Sequence, residues 1–152
     1  MEVRGATVSD AKTISTLINY YAEHDKMLFR SLAEIYENLQ TFSVVEEGSV
    51  VIGCCALEVI WSDLAEIKSL AVDPGHRNRG VGTVLVTAAV DQARHLGLPR
   101  IFALTLEPGF FQKLGFTIVA KEALPMKVWS DCARCPKQQE CDEIAMVKSL
   151  GQ

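Results

Sequence analysis

No stretch of this chain is apolar for long enough to span a bilayer, and the opening Met1-Glu2-Val3-Arg4 has no apolar core of the kind that directs secretion. Both absences lead to the expectation of a cytoplasmic protein, not membrane-bound, whose five cysteines start out reduced. Positive charge is not in excess either. Fifteen Lys and Arg against nineteen Asp and Glu leave a net charge of −4, which excludes the broad basic face of a nucleic-acid-binding protein. Repeats, low-complexity tracts and linker-like runs are missing, so the 152 residues, from 1 to 152, read as one domain. What is present is a 49% hydrophobic composition, enough for a packed core without covalent staples.

Along the chain, Val3 to Ala6 reads as a short strand. Thr7-x-x-Asp10 is a variant of the capping box, and Ala11, Ile14, Ile18 and Tyr21 then recur at helical spacing. Leu32 to Leu39 is a second short helix with Ser31 as its cap. The β-branched runs Phe42 to Glu46 and Val50 to Ile60, joined at Glu47-Gly48, predict a hairpin, and Leu64 to Val72 predicts a third strand. A helix follows with Val81, Val84, Leu85, Ala88 and Ala89 on its core stripe and a stop at Gly97. Arg100 to Leu106 is a strand, Pro108 to Leu114 a short helix, Phe116 to Ala120 a strand, and Glu143 to Val147 the last strand. Strands first, then helix and strand in alternation, imply a mixed α/β sheet.

Between the third strand and its helix lies the most informative segment, LAEIKSLAVDPGHRNRGVG. A strand, a glycine-rich basic turn and a helix in that order form a phosphate-holding device. Gly80 and Gly82 let backbone approach a ligand without a Cβ in between, and the helix start aims unpaired N–H groups at it. Arg77 and Arg79 add charge-assisted donors. The turn has no Gly-Lys-Ser/Thr and so is not a Walker A loop, and Arg77-x-x-Gly80-x-Gly82 is not the dinucleotide fingerprint. A pyrophosphate held by backbone rather than by metal is the inference.

Strict alternation along Leu64 to Val72 puts Leu64, Glu66, Lys68 and Leu70 on one face and Ala65, Ile67 and Ser69 on the other. Glu66 is then a carboxylate on an apolar strand just before the phosphate turn. It reads either as a general base for an amine or as the ion-pair partner of Lys68 or another cation. Cys132-x2-Cys135-x5-Cys141 is open to three readings: a zinc site short of its fourth ligand, a disulfide, or free thiols. No metal is expected. His24, His76 and His95 show no catalytic spacing, and Trp61 and Trp129 read as packing.

Leu70-Ala71-Val72-Asp73-Pro74 followed by Arg77 to Gly82 resembles the acetyl-CoA signature of the GNAT N-acetyltransferases, and Phe110-Phe111-Gln112-Lys113-Leu114-Gly115-Phe116 resembles their fourth helix and the turn after it. The resemblance implies a mixed α/β (α+β) fold, a mostly antiparallel sheet flanked by about four helices and splayed at the acetyl-CoA site. It implies that Leu70, Ala71, Val72, the run Arg77, Asn78, Arg79, Gly80, Val81, Gly82 and Thr83, and Phe111 bind the cofactor. It also implies Glu66 as the base, and backbone from Leu70 to Val72 as donor to the thioester oxygen. Many such enzymes carry a tyrosine acid on the fourth helix. Phe110 and Phe111 stand there instead, so no general acid is assigned.

Met27-Leu28-Phe29-Arg30-Ser31 and the tail from Leu124 through Lys127, Trp129 and Asp131 to Cys135 look like bacterial N-acetylglutamate synthases, particularly short ones. That resemblance implies acetylation of L-glutamate in arginine biosynthesis, with Leu28 and Arg30 binding the amino acid; Lys68 and Lys127 are further candidates by position. Longer relatives add a kinase-like domain, for which this chain has no room, and many dimerise, so a homodimer is among the expectations. One departure runs against a dicarboxylate: Thr105-Leu106-Glu107-Pro108 brings an acidic residue where the group carries a substrate contact. Two rival functions share these residues, a GNAT enzyme for another amine (a different amino acid, a polyamine, a protein N-terminus) and a non-catalytic CoA-sensing module.

Overall fold

The structure is a computed structural model that describes residues 1–24, 26, 27, 29–124 and 143–151. Seven strands form one sheet: β1 (Val3–Gly5), β2 (Phe42–Glu47), β3 (Val50–Trp61), β4 (Leu64–Val72), β5 (Arg100–Thr105), β6 (Thr117–Val119) and β7 (Ile144–Ser149). Their spatial order is β1-β2-β3-β4-β5-β7-β6, with every neighbouring pair antiparallel except β4 and β5. Four helices flank it: α1 (Ala11–Glu23), α2 (Leu32–Glu37), α3 (Val81–His95) and α4 (Pro108–Lys113). The expected mixed, mostly antiparallel sheet with four helices is what the chain adopts. The second helix is shorter than its sequence suggests, because Leu39–Thr41 tightens into a 3₁₀ turn. The final strand starts and ends later than expected, at Ile144–Ser149.

The sheet has two covered faces, which is why β3 shows no polar alternation. Ile14, Ile18 and Ile35 of α1 and α2 pack with Phe42, Val44, Cys54, Ala56 and Ala71 on one face. On the other, Val81, Leu85, Val86, Ala89 and Val90 of α3 pack with Cys55, Leu57, Ala65, Ile67 and Ile101. Each fully buried aliphatic side chain of this kind contributes about 1.5–3 kcal/mol relative to exposure. The α3 stripe is thus Val81, Leu85, Val86, Ala89, Val90 and Ala93; Val84 and Ala88 lie at its margin. Adjacent Cys54 and Cys55 serve opposite cores as free thiols. Burial pushes Cys54 up to about 12 and raises Cys55 as well. The cluster Cys132, Cys135 and Cys141 lies outside the described residues, as does Trp129.

The alternation expected along β4 fails at one point. Ala56 pairs with Lys68 but Cys54 pairs with Ala71, so β4 carries one more residue than β3 across the same span. Ser69 has a left-handed φ of +54°, the mark of a β-bulge. The extra residue moves Leu70 and Val72 to the α3 face, while Ala71 joins the α1 face. Leu70 therefore does not share a face with Glu66 and Lys68, contrary to the strict period of two.

At the other end of the sheet, Arg4 ties β1 to the start of α1 and to β2. Its guanidinium is 2.7 Å from Asp10 and 3.0 Å from Glu46, and the Thr7 N–H donates to the same Asp10 carboxylate at 2.7 Å. Arg4 hydrogen bonding, against the opposing effect of burial, holds Asp10 at about 2, below the usual 3.8. A depressed carboxyl stabilises the fold above its unfolded value and loses that contribution as pH falls through the folded one. Allowing for the partly exposed Arg4, Asp10→Asn is expected to cost about 1–2 kcal/mol in urea unfolding at neutral pH. The difference from wild type should close as pH drops from 3.8 towards 2; a gap constant with pH rejects the linkage.

Candidate active site

β4 and β5 run side by side only briefly. Their ladder consists of Ala65, Ile67 and Glu66 against Ile101, Ala103 and Phe102, after which β4 continues to Val72 and β5 to Thr105 without pairing. The bulge at Ser69 turns β4 away just past the last pair. The result is a wedge in the middle of the sheet, with backbone of Lys68–Val72 along one wall. A slot of this shape admits an extended chain that pairs with β4 as a strand does.

The wedge leads to the mouth of α3. Arg77, Asn78, Arg79 and Gly80 are exposed, and Gly80 sits at φ +84°, a conformation that only glycine adopts without strain. Gly80 is the N-cap of α3, makes no side-chain cap, and no acidic residue occupies the first turn. The N–H groups of this first turn consequently face outward with the positive end of the helix dipole. Val81 is 2% exposed and anchors that turn in the core, so it offers backbone alone, whereas Thr83 is exposed. Beneath it, Gly53 of β3 leaves the room: a Cβ there would come within 2.7 Å of the Val81 side chain.

Two packing details bear on Gly82 and Phe111. A Cβ on Gly82 would meet the Phe110 ring at 3.3 Å, so this glycine also admits α4 against α3. Phe111, expected at the cofactor, is 5% exposed and packs edge-on against Phe116 in the core. Phe110, one residue back on the helix, is the ring that reaches the α3 mouth.

Tyr21 of α1 joins the two halves of this region. Its hydroxyl donates to the Val72 carbonyl at the end of β4 and lies 3.4 Å from both Nε and Nη2 of Arg77, whose guanidinium also sits 5.4 Å from the tyrosine ring centre. Hydrogen bonding to Tyr21 raises the Arg77 pKa further. Asp73 shapes the turn before it, accepting from the Gly75 N–H at 3.1 Å and lying 2.7 Å from His76 Nδ1. Arg79 pairs with Glu47 at 3.2 Å on the surface.

On the α1 and α2 face of the wedge, four charged side chains meet. Glu66 is 5% exposed and lies directly across the β3–β4 ladder from Glu58. Arg30, 8% exposed, stacks over the Phe42 ring at 5.3 Å, donates to Ser69 Oγ at 3.2 Å and lies 3.3 Å from Glu58. Lys68 is 3.7 Å from the other Glu58 oxygen. The structure thus brings Glu66, Lys68 and Arg30 to one place around Glu58 on the wall of the wedge. Leu28 and Lys127 lie outside the described residues. Among the described residues, no group of three or more His, Cys, Asp or Glu is placed to hold a metal, and no helix is long and apolar enough to cross a membrane. Sequence reasoning missed Glu58, Ser69 and the part played by Tyr21. Glu58 had a signal: it is the one charged residue in the apolar run Val50–Trp61.

Comparison with known proteins fits this geometry. The Acetyltransferase (GNAT) family model matches residues 9–116. Over 148 residues the chain is 45% identical to an uncharacterised N-acetyltransferase of Chlorobaculum tepidum, covering 97% of this chain and 96% of that protein. It is 38% identical over 135 residues to the amino-acid acetyltransferase of Mycobacterium tuberculosis, covering 87% and 77% respectively. A Mycobacterium tuberculosis structure in complex with CoA matches at TM-score 0.86 and 33% identity over 99% of both chains. The N-acetylglutamate synthase of Neisseria gonorrhoeae, complexed with coenzyme A and N-acetyl-glutamate, matches at TM-score 0.90 and 28% identity, over 99% of this chain and 35% of that one.

Tyr21→Phe keeps the ring under Arg77 and removes the hydroxyl that fixes Arg77 and Val72. Loss of one such hydrogen-bonding group is expected to weaken CoA binding about threefold to tenfold in calorimetry. Unchanged affinity rejects the coupling between α1 and the phosphate turn.

Proposed function

The chain belongs to the GNAT acetyltransferase family and is an acetyl-CoA-dependent N-acetyltransferase, and we propose that its acceptor is the α-amine of a small amino acid, L-glutamate before others. The observation that carries this reading is the buried carboxylate of Glu66 beside Arg30 and Lys68, on the wall of the wedge that leads to α3. Relatives named amino-acid acetyltransferase support an amino acid as acceptor, and the N-acetyl-glutamate complex of a similar domain supports glutamate. A role in arginine synthesis follows from that acceptor.

Acetyl-CoA would be held by the open amides of α3 and the guanidinium groups of Arg77 and Arg79 at its diphosphate, and by the backbone of Leu70, Ala71 and Val72 along its extended arm. The acceptor enters from the α1 and α2 face, with its α-carboxylate towards Arg30 and Lys68. The α-ammonium of a free amino acid titrates above the about 7.7–8 of a peptide terminus, so at neutral pH nearly all of it must lose a proton before it can attack. Glu66 takes that proton, directly or through one water. The amine nitrogen then bonds to the thioester carbon, backbone N–H groups at the wedge hold the negative oxygen, and collapse breaks the carbon–sulfur bond. The nitrogen, which still carries one proton too many, gives it to water, and the leaving thiolate takes its own proton from water, consistent with the phenylalanines on α4 and with a thiol pKa of about 8.5.

Release of free thiol from acetyl-CoA against a panel of amines tests the acceptor. Turnover with L-glutamate well above that with polyamines or peptide N-termini is expected, and no turnover with glutamate at high concentration removes it. Glu66→Gln is expected to lower kcat by at least about tenfold, and equal rates reject the base. Arg30→Ala is expected to raise KM for the amino acid far more than KM for acetyl-CoA. Because Arg30 also holds Ser69, a loss of melting temperature accompanies it.

A further inference from the structure

We infer that Glu58 is a specificity-determining residue: by holding both Arg30 and Lys68 it limits how strongly the acceptor pocket rewards a second carboxylate. The inference rests on the amino-acid reading above. The structure shows Glu58 with one oxygen 3.3 Å from Arg30 Nη2 and the other 3.7 Å from Lys68 Nζ. Its side chain is 22% exposed, and it faces Glu66 directly across the ladder. Among the described residues, the pocket therefore brings together two cations and two carboxylates before any substrate arrives.

An amino acid placed with its nitrogen beside Glu66 brings one α-carboxylate, which must share Arg30 or Lys68 with Glu58. An uncharged side chain asks nothing more of the pocket. A side-chain carboxylate adds a further negative charge next to Glu58 and Glu66, where the surroundings are half-buried and screening by salt is weak. Where it takes Arg30 or Lys68 as its cation, it must draw that cation away from Glu58. Glu58 thus narrows the advantage of L-glutamate over its uncharged amide, a discrimination that works by an internal competitor rather than by a clash. The Arg30 bond to Ser69 keeps the guanidinium beside the bulge whichever carboxylate it faces.

The test compares kcat/KM for L-glutamate and L-glutamine at fixed ionic strength, by thiol release, in wild type, Glu58→Gln and Lys68→Met. Glu58→Gln keeps the shape and removes the competing charge. It is expected to raise the glutamate-to-glutamine ratio about tenfold, mostly through KM. Lys68→Met removes a cation and is expected to lower the same ratio. A purely structural role for Glu58 changes melting temperature and both substrates alike, so an unchanged ratio in folded Glu58→Gln overturns the inference and leaves the acceptor assignment standing. Should Glu58→Gln fail to fold, Glu58→Met decides in the same assay: a raised ratio supports the inference and an unchanged one overturns it. Wild type that binds CoA yet acetylates neither amino acid overturns the acceptor reading, and this inference with it.

Discussion

The short ladder between β4 and β5 is the constraint on which the rest of the site depends. Three residue pairs fix the two strands in parallel, and the extra residue at Ser69 then carries β4 out of register with its antiparallel neighbour β3. A longer ladder would satisfy the β4 amides internally and close the wedge to an extended ligand. The left-handed conformation of Ser69 costs of order 1 kcal/mol or more. Arg30, itself buried against Phe42, supplies a compensating contact at the strained residue.

Two kinds of electrostatics meet across this wedge. At the α3 mouth the positive potential is exposed, made of backbone amides and of Arg77 and Arg79, and suits a mobile polyanion. On the opposite face, charges are buried or half-buried and already paired, Arg30 and Lys68 with Glu58. An exposed field attracts ligand with little discrimination, whereas a desolvated and balanced one discriminates through what it must rearrange. Tyr21 ties the end of β4 to the α3 mouth, since one side chain touches both the Val72 carbonyl and Arg77.

Much of the architecture was legible because hydrophobic period and turn chemistry agree locally. Ser31 caps α2 through the Glu34 N–H, Gly97 takes a positive φ just past α3, and the Glu47-Gly48 hairpin forms between β2 and β3. The phosphate turn was readable because glycine and arginine at fixed offsets have few other uses. Less legible were the places where tertiary packing chooses among equivalent local options. Nothing in Phe110-Phe111 says which ring turns inward until α4 lies against α3 and Phe116.

Sequence by itself determined the order of strands and helices along the chain, the β2–β3 hairpin, and the basic glycine-rich entry to α3, because each follows from side-chain size, period and backbone freedom within a few residues. Only the tertiary structure decided that β4 bulges at Ser69, that Leu70 leaves the face of Glu66, and that Glu58 stands between Arg30 and Lys68. These depend on residues 10 to 39 positions apart meeting in the fold, and no local preference encodes which carboxylate a distant guanidinium will find.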